Sequence, residues 1–157
     1  MPETRRDLDL ENLDDLRLRD FISYRLLKVS AKVAAQGARR AKQVSGLSLA
    51  QWRVLALVGS KENFSASDLI QDDLMDKGIF SRNSKQLVEE GLLTQELNPK
   101  DHRSKSLCLT PKGKEVYEKT LPRMKERQKA MLSCLTLEER QALYSALDKI
   151  EKFTESH

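Results

Sequence analysis

Asp76-Lys77-Gly78-Ile79-Phe80-Ser81-Arg82-Asn83-Ser84-Lys85-Gln86-Leu87-Val88-Glu89-Glu90-Gly91 runs straight into Leu92-Leu93-Thr94-Gln95-Glu96-Leu97. The turn Asn98-Pro99-Lys100-Asp101-His102-Arg103 then leads to Ser104-Lys105-Ser106-Leu107-Cys108-Leu109 and on to Thr110-Pro111-Lys112-Gly113. Asp76 has the side chain of an N-cap, and Gly91 suits the left-handed position that ends a helix. Phe80, Ser84 and Leu87 recur at i, i+4 and i+7, so they share the face that anchors this helix in a core. The two runs that follow alternate as strands and are joined by a Pro- and Asn-bearing turn. Thr110 then caps a further helix that begins at Pro111. Helix, hairpin and capped helix in this order predict a mainly α chain with a small β-hairpin wing. That is a winged helix-turn-helix, which sets one element in a major groove and another beside it.

The exposed face of the predicted helix carries Lys77, Gly78, Ser81, Arg82 and Lys85, and no acidic residue falls between Lys77 and Val88. Arg forks onto guanine O6 and N7, while Lys and Ser reach phosphates or base edges. In the turn, Asp101 stands two residues from Arg103, close enough to hold its guanidinium in one pose, with Lys100 next to it. A fixed Arg at a hairpin tip suits a narrow minor groove, where the negative potential is enhanced. The alternative occupant of such a helix is another protein, in a winged-helix interaction module without operator binding. That role calls for an apolar exposed face rather than a run of cations.

These stretches, together with Leu49-Ala50-Gln51-Trp52-Arg53-Val54-Leu55 and Leu109-Thr110-Pro111-Lys112-Gly113, resemble the MarR/SlyA-type bacterial transcription regulators over roughly residues 20 to 150. Val88, Gln95 and the inward Ser84 depart from that family's usual residues. The resemblance implies a homodimeric regulator, a repressor of transcription that binds a pseudo-palindromic double-stranded DNA and is released by a small aromatic or phenolic acid. It implies an effector cleft between the dimerisation helices and the winged helix. Tyr24 and Arg25 on the first helix, with Trp52 and Arg53 on the second, are the candidates for ring stacking and a carboxylate partner there.

Composition bounds the reading. The 157 residues amount to one domain, 33% charged and 5% aromatic, with a net charge of +4 that is unevenly spread. Residues 1–20 carry 4 basic and 7 acidic side chains, whereas residues 21–60 carry 7 basic and no acidic ones. Positive charge can therefore be local to a phosphate-binding face. The longest apolar run, Val54 to Val58, falls far short of the ~20 residues that span a bilayer. The N-terminus also lacks a signal peptide's apolar stretch, so a cytoplasmic protein with no membrane contact is expected. Cys108 and Cys134 read as small buried apolar residues. The family's peroxide sensors carry a reactive cysteine in the first helix, and this chain has none there. His102 beside Asp101 sits on a wet hairpin tip, a poor place for catalysis. Asp72, Asp73 and Asp76 read as turn and cap residues. No enzyme, cofactor or metal site is expected.

The remaining chain divides into an acidic tail over 1–11 expected to be disordered, dimerisation helices over 12–45 and 111–157, and the winged helix-turn-helix over 46–110. Leu18, Ile22, Leu26, Val29 and Val33 give one apolar stripe to a first helix expected from Leu13 to Lys42, ended by Gly46. Ser48 to Gln51 is a capping box with Leu47 and Trp52 as its staple, opening a helix that ends near Gly59. Ser65 is expected to start a short third helix carrying Leu69 and Ile70. Pro122 falls inside the helix that Pro111 begins and predicts a kink there. Thr136 caps a last helix whose stripe is Leu143, Leu147 and Ile150. A winged helix of ~60 residues cannot cover all these stripes, which is why two chains are expected to interlock.

The wing reading is tested by a double-mutant cycle. If Asp101 orients Arg103, Asp101→Ala and Arg103→Ala each weaken DNA binding to a similar extent, and the double variant is little worse than either. Additive losses in fluorescence anisotropy would mean that the two residues act separately.

Overall fold

Four helix starts in this chain carry the side chain that their exposed N–H groups require. The computed structural model describes residues 17–61, 64–65, 75–98 and 101–156, with the side chains of Ser65, Leu97, Asn98 and 101–105 excluded. A short 3-10 turn, Leu18–Asp20, precedes α1 (Ile22–Ser45) and α2 (Leu49–Gly59). Then come β1 (Phe64–Ser65), α3 (Lys77–Glu89), β2 (Leu93–Asn98), β3 (Asp101–Leu109), α4 (Pro111–Leu132) and α5 (Leu137–Glu155). Ser48 and Gln51 form the expected capping box on α2, and Thr136 and Glu139 form another on α5. Thr110 accepts from the Gly113 N–H at 3.0 Å, and Asp76 caps α3. Each such cap is worth about 1 kcal/mol. The Glu138 carboxyl, in the first turn of α5, is held below its ordinary value by a backbone hydrogen bond and by the Thr136 hydroxyl.

The three strands form an antiparallel sheet in the order β1-β3-β2. Leu93 pairs with Leu109 and Gln95 with Leu107, while Phe64 of β1 faces Leu107 from the other side. One core joins Leu47, Trp52, Val54, Leu55 and Val58 of the α2 region to Phe64, Phe80, Leu87, Leu92, Leu93 and Leu107. Leu47 and Trp52, the expected staple, are both buried in it. Val54, Leu55 and Leu87 are fully buried, each stabilising the fold by ~1.5–3 kcal/mol. The helix α2 is therefore the central post, packed on α1, α3, α4 and β3. Among the described residues no helix is long and apolar enough to cross a membrane.

Several expectations need correction. Within the described residues the first helix starts at Ile22, because Phe21 takes an extended backbone (ψ 131°) after the 3-10 turn, and Leu13, its expected start, lies outside them. Leu18, Ile22 and Val29 of its stripe stay exposed, so burial within the chain does not reward a longer helix. Its end is Ser45 rather than Lys42, with Gly46 as the left-handed cap. Ser65 itself lies in β1 opposite Ser106, an element the sequence did not announce, and the helix expected to follow it falls outside the described residues. The hairpin turn is shorter than expected, since Asn98 pairs with Asp101 after a register shift, leaving Asp101 and Arg103 in β3. Cys134 is exposed rather than buried, and its thiol donates to the Met131 carbonyl at 2.9 Å, whereas Cys108 is half-buried. Pro122 does fall inside α4, as the sequence predicts. The tail over 1–11 and the stretch with Leu69 and Ile70 lie outside the described residues.

The tightest joint is between α3, β2 and α4. Gly91 takes the left-handed conformation (φ 71°), and the Leu92 N–H returns to the Leu87 carbonyl at 2.8 Å. That closes α3 in the Schellman manner. Thr110 then donates its hydroxyl to the Gly91 carbonyl at 2.7 Å and its N–H to the Leu92 carbonyl at 3.1 Å. Lys112 donates to the Glu90 carbonyl at 2.9 Å. A Cβ at Gly113 would run into the Leu92 carbonyl oxygen and stand 2.9 Å from its carbon.

A glycine in a helix interior is ordinarily improved by Ala, by about 0.5–1 kcal/mol. Gly113→Ala reverses the sign, because the obstruction is backbone and cannot rotate away. Urea denaturation should show a loss of about 3 kcal/mol. An unchanged or raised midpoint would mean that the joint relaxes freely.

Candidate nucleic-acid interface

The helix α3 is oriented by what it buries. Phe80, Ser84 and Leu87 face the core, and the Phe80 ring lies 5.7 Å from the Phe64 ring at 32°. The inward Ser84 is satisfied locally, its hydroxyl donating to the Phe80 carbonyl at 2.8 Å. A buried hydroxyl with a partner costs little, so a polar residue is tolerated on the packed face. At the helix start Asp76 Oδ1 accepts from the Gly78 and Ile79 N–H groups at 2.8 and 3.2 Å. The C-terminal turn is held from α2, where Gln51 Nε2 donates to Glu90 at 3.1 Å.

This anchoring leaves Lys77, Gly78, Ser81, Arg82 and Lys85 exposed together, as the sequence predicts. Lys85 does meet one carboxylate, Glu89, at 3.9 Å, with both side chains largely exposed. Such a pair is worth well under ~1 kcal/mol, so a phosphate can displace the carboxylate. Gln86 also lies on the exposed side, a residue the sequence reading passed over because it is neutral. Asn83 does not join this face freely, since its amide donates to the Ile79 carbonyl at 2.7 Å. The hairpin β2–β3 follows at once and forms the wing. Lys100 lies outside the described residues, as do the side chains of Asp101 and Arg103.

The profile of the MarR family matches residues 45–104, which span α2, α3 and most of the wing. Over 115 residues the chain is 30% identical to the HTH-type transcriptional regulator BilQ of Clostridium symbiosum, covering 73% of this chain and 80% of that protein. The chain belongs to the MarR family. Solved structures of similar shape include a Staphylococcus aureus MepR–DNA complex, with a TM-score of 0.78 at 16% identity, covering 88% of this chain and 99% of that one. Another is Bordetella bronchiseptica BpsR, from work on regulation of its DNA binding by 6-hydroxynicotinic acid. Its TM-score is 0.72 at 22% identity, covering 87% of this chain and 96% of that one. At these identities the likeness establishes the fold alone.

In this MarR-family transcriptional regulator the four effector candidates are not placed alike. Tyr24, Arg25 and Arg53 are exposed, whereas Trp52 is buried. The Trp52 ring stacks on Tyr117 of α4, centroids 6.2 Å apart at 23°. That ring face is taken by the protein itself. One contact between α1 and α2 lies at Gly37, where a Cβ would touch Leu49 Cδ1 at 3.4 Å. Tyr24 stands thirteen residues before Gly37, about 20 Å along the helix axis. This contact therefore does not bring the two candidate pairs together within one chain.

Proposed function

We propose that this MarR-family chain acts as a homodimeric repressor that reads a pseudo-palindromic duplex with α3 and releases it on binding a small aromatic or phenolic acid. The observation that carries the DNA reading is the exposed set Lys77, Ser81, Arg82 and Lys85, opposite a face fixed by Phe80, Ser84 and Leu87. Arg82 is positioned to fork onto a guanine edge, with Lys77, Ser81 and Lys85 reaching phosphates or neighbouring bases. Lys100, Asp101 and Arg103 of the wing are assigned to the adjacent minor groove. Arg82→Ala should weaken binding by about 1–3 kcal/mol and relax base preference. Lys85→Ala should weaken all duplexes alike and flatten the salt slope, since each released counterion adds roughly one unit to it. Titrations at several salt concentrations, with the stoichiometry read at saturation, check this. A flat salt dependence, or one chain per duplex, would overturn it.

The dimer reading rests on α1 and α5. The helix α5 buries no residue within the chain, and Leu137, Leu143, Tyr144, Leu147 and Phe153 are exposed along it. At the other terminus Leu18, Phe21, Ile22, Leu27 and Val29 are likewise exposed. Two apolar faces of this extent are covered most economically by the same faces of a second copy about a two-fold axis. That arrangement also presents two α3 helices to half-sites about one helical turn apart.

For the effector, an aromatic carboxylate fits Arg25 with Tyr24 against its ring, or Arg53 beside the buried Trp52, through a two-point charge-assisted contact; a single cleft takes both pairs only where the second copy brings them together. Release follows if the ligand prefers a dimer whose two α3 helices no longer fit successive grooves. Calorimetry with a panel of aromatic carboxylates should show Arg25→Ala losing roughly tenfold or more in affinity, the worth of a hydrogen bond to a charged group. Trp52→Phe should show a smaller loss. Heats unchanged in both variants would remove these residues from the site.

A further inference from the structure

Among the described residues, the large apolar side chains left exposed lie on the terminal helices and the turn before α1, with one exception. Ile79 is 43% exposed in the first turn of α3, on the helix that carries the cations. Helical spacing places Ile79, Arg82 and Gln86 on one stripe at i, i+3 and i+7, turned away from Phe80, Ser84 and Leu87. The Asn83 amide, four residues on, is bent back onto the Ile79 carbonyl rather than extended past the Ile79 side chain. The Gly78 and Ile79 N–H groups are both occupied by the Asp76 carboxylate. What this turn offers to a groove is thus a bare sec-butyl group, next to a glycine and one turn before Arg82.

We propose that Ile79 reads the C5-methyl group of a thymine in the operator half-site, within a base pair or two of the base that Arg82 contacts. The inference rests on the reading of α3 as the groove-binding helix. In the major groove thymine alone presents an apolar group; guanine and adenine offer N7 with O6 or an amino group, and cytosine an amino group. An isoleucine set against those polar atoms would take them out of water with no hydrogen bond in return. Against a methyl group it buries apolar surface on both sides. The N-terminal residues of such a helix are the ones that meet base edges, and Ile79 is the third residue of α3.

The test uses the full chain and a duplex enriched by it from a random-sequence library. Each thymine of that duplex is replaced in turn by deoxyuridine, which removes only the methyl group. The expected result is one thymine per half-site whose replacement weakens wild-type binding about fourfold, the equivalent of ~0.8 kcal/mol for one buried carbon. The same replacement should leave Ile79→Ala unaffected and reduce Ile79→Val by an intermediate factor. Tight binding with no uracil-sensitive position, or equal sensitivity in wild type and Ile79→Ala, overturns the proposal and leaves the DNA reading intact. Failure to enrich any duplex overturns both. The wild-type comparison is made on the DNA alone, so it holds even if a variant misfolds.

Discussion

The contact between Gly113 and the Leu92 carbonyl is the constraint on which the rest of the structure depends. It allows the first turn of α4 to lie directly on the backbone that leaves α3. Thr110 uses that closeness twice, capping its own helix and donating to the Gly91 carbonyl. Lys112 completes the joint at the Glu90 carbonyl, where a cation also complements the helix dipole. The end of α3, the root of the wing and the start of α4 thus form one hydrogen-bonded knot. A side chain at Gly113 would separate all three.

From that knot the molecule divides its labour. The core around α2 and the sheet holds α3 by Phe80 and Leu87 and leaves its cations in water. The terminal helices do the reverse, carrying apolar side chains outward that the chain itself does not cover. The helices α1 and α4 are pinned to each other near Gly37, where Arg127 Nη2 donates to the Val33 carbonyl at 2.6 Å. A carbonyl already bonded within its helix accepts a second donor readily, since each oxygen has two lone pairs. Gly37 lies beside the guanidinium, where a Cβ would stand 3.6 Å from it, in ordinary contact.

What the sequence made legible was the part governed by local chemistry. Asp76, Ser48, Thr110 and Thr136 are caps because short polar side chains next to an apolar period have few other uses. The inward set Phe80, Ser84 and Leu87 followed from spacing alone. The readings that failed depend on distant partners. β1 is two residues long and exists because Phe64 meets Leu107 and Phe80, which no local pattern announces. The break at Phe21 was hidden because Leu18 and Ile22 keep helical spacing across it. Trp52 read first as staple and core, and its stacking partner Tyr117, sixty-five residues away, is what the local pattern could not supply. Cys134 was misjudged because residue type speaks to burial only on average, and the turn after α4 puts it outside.

The continuity of α4 has a mechanical consequence. Twenty-two residues of helix make a rod about 33 Å long, clamped at one end to the exit of α3. If that end were the pivoting tip, a tilt of 5° about the far end would carry it roughly 3 Å, close to the 3.4 Å between successive bases on a DNA strand. The rod also has a built-in soft point. Pro122 brings no N–H to the Glu118 carbonyl, so bending concentrates there rather than along the whole length. In the proposed dimer, the distance between two such tips would therefore be an amplified readout of whatever angle the terminal helices adopt.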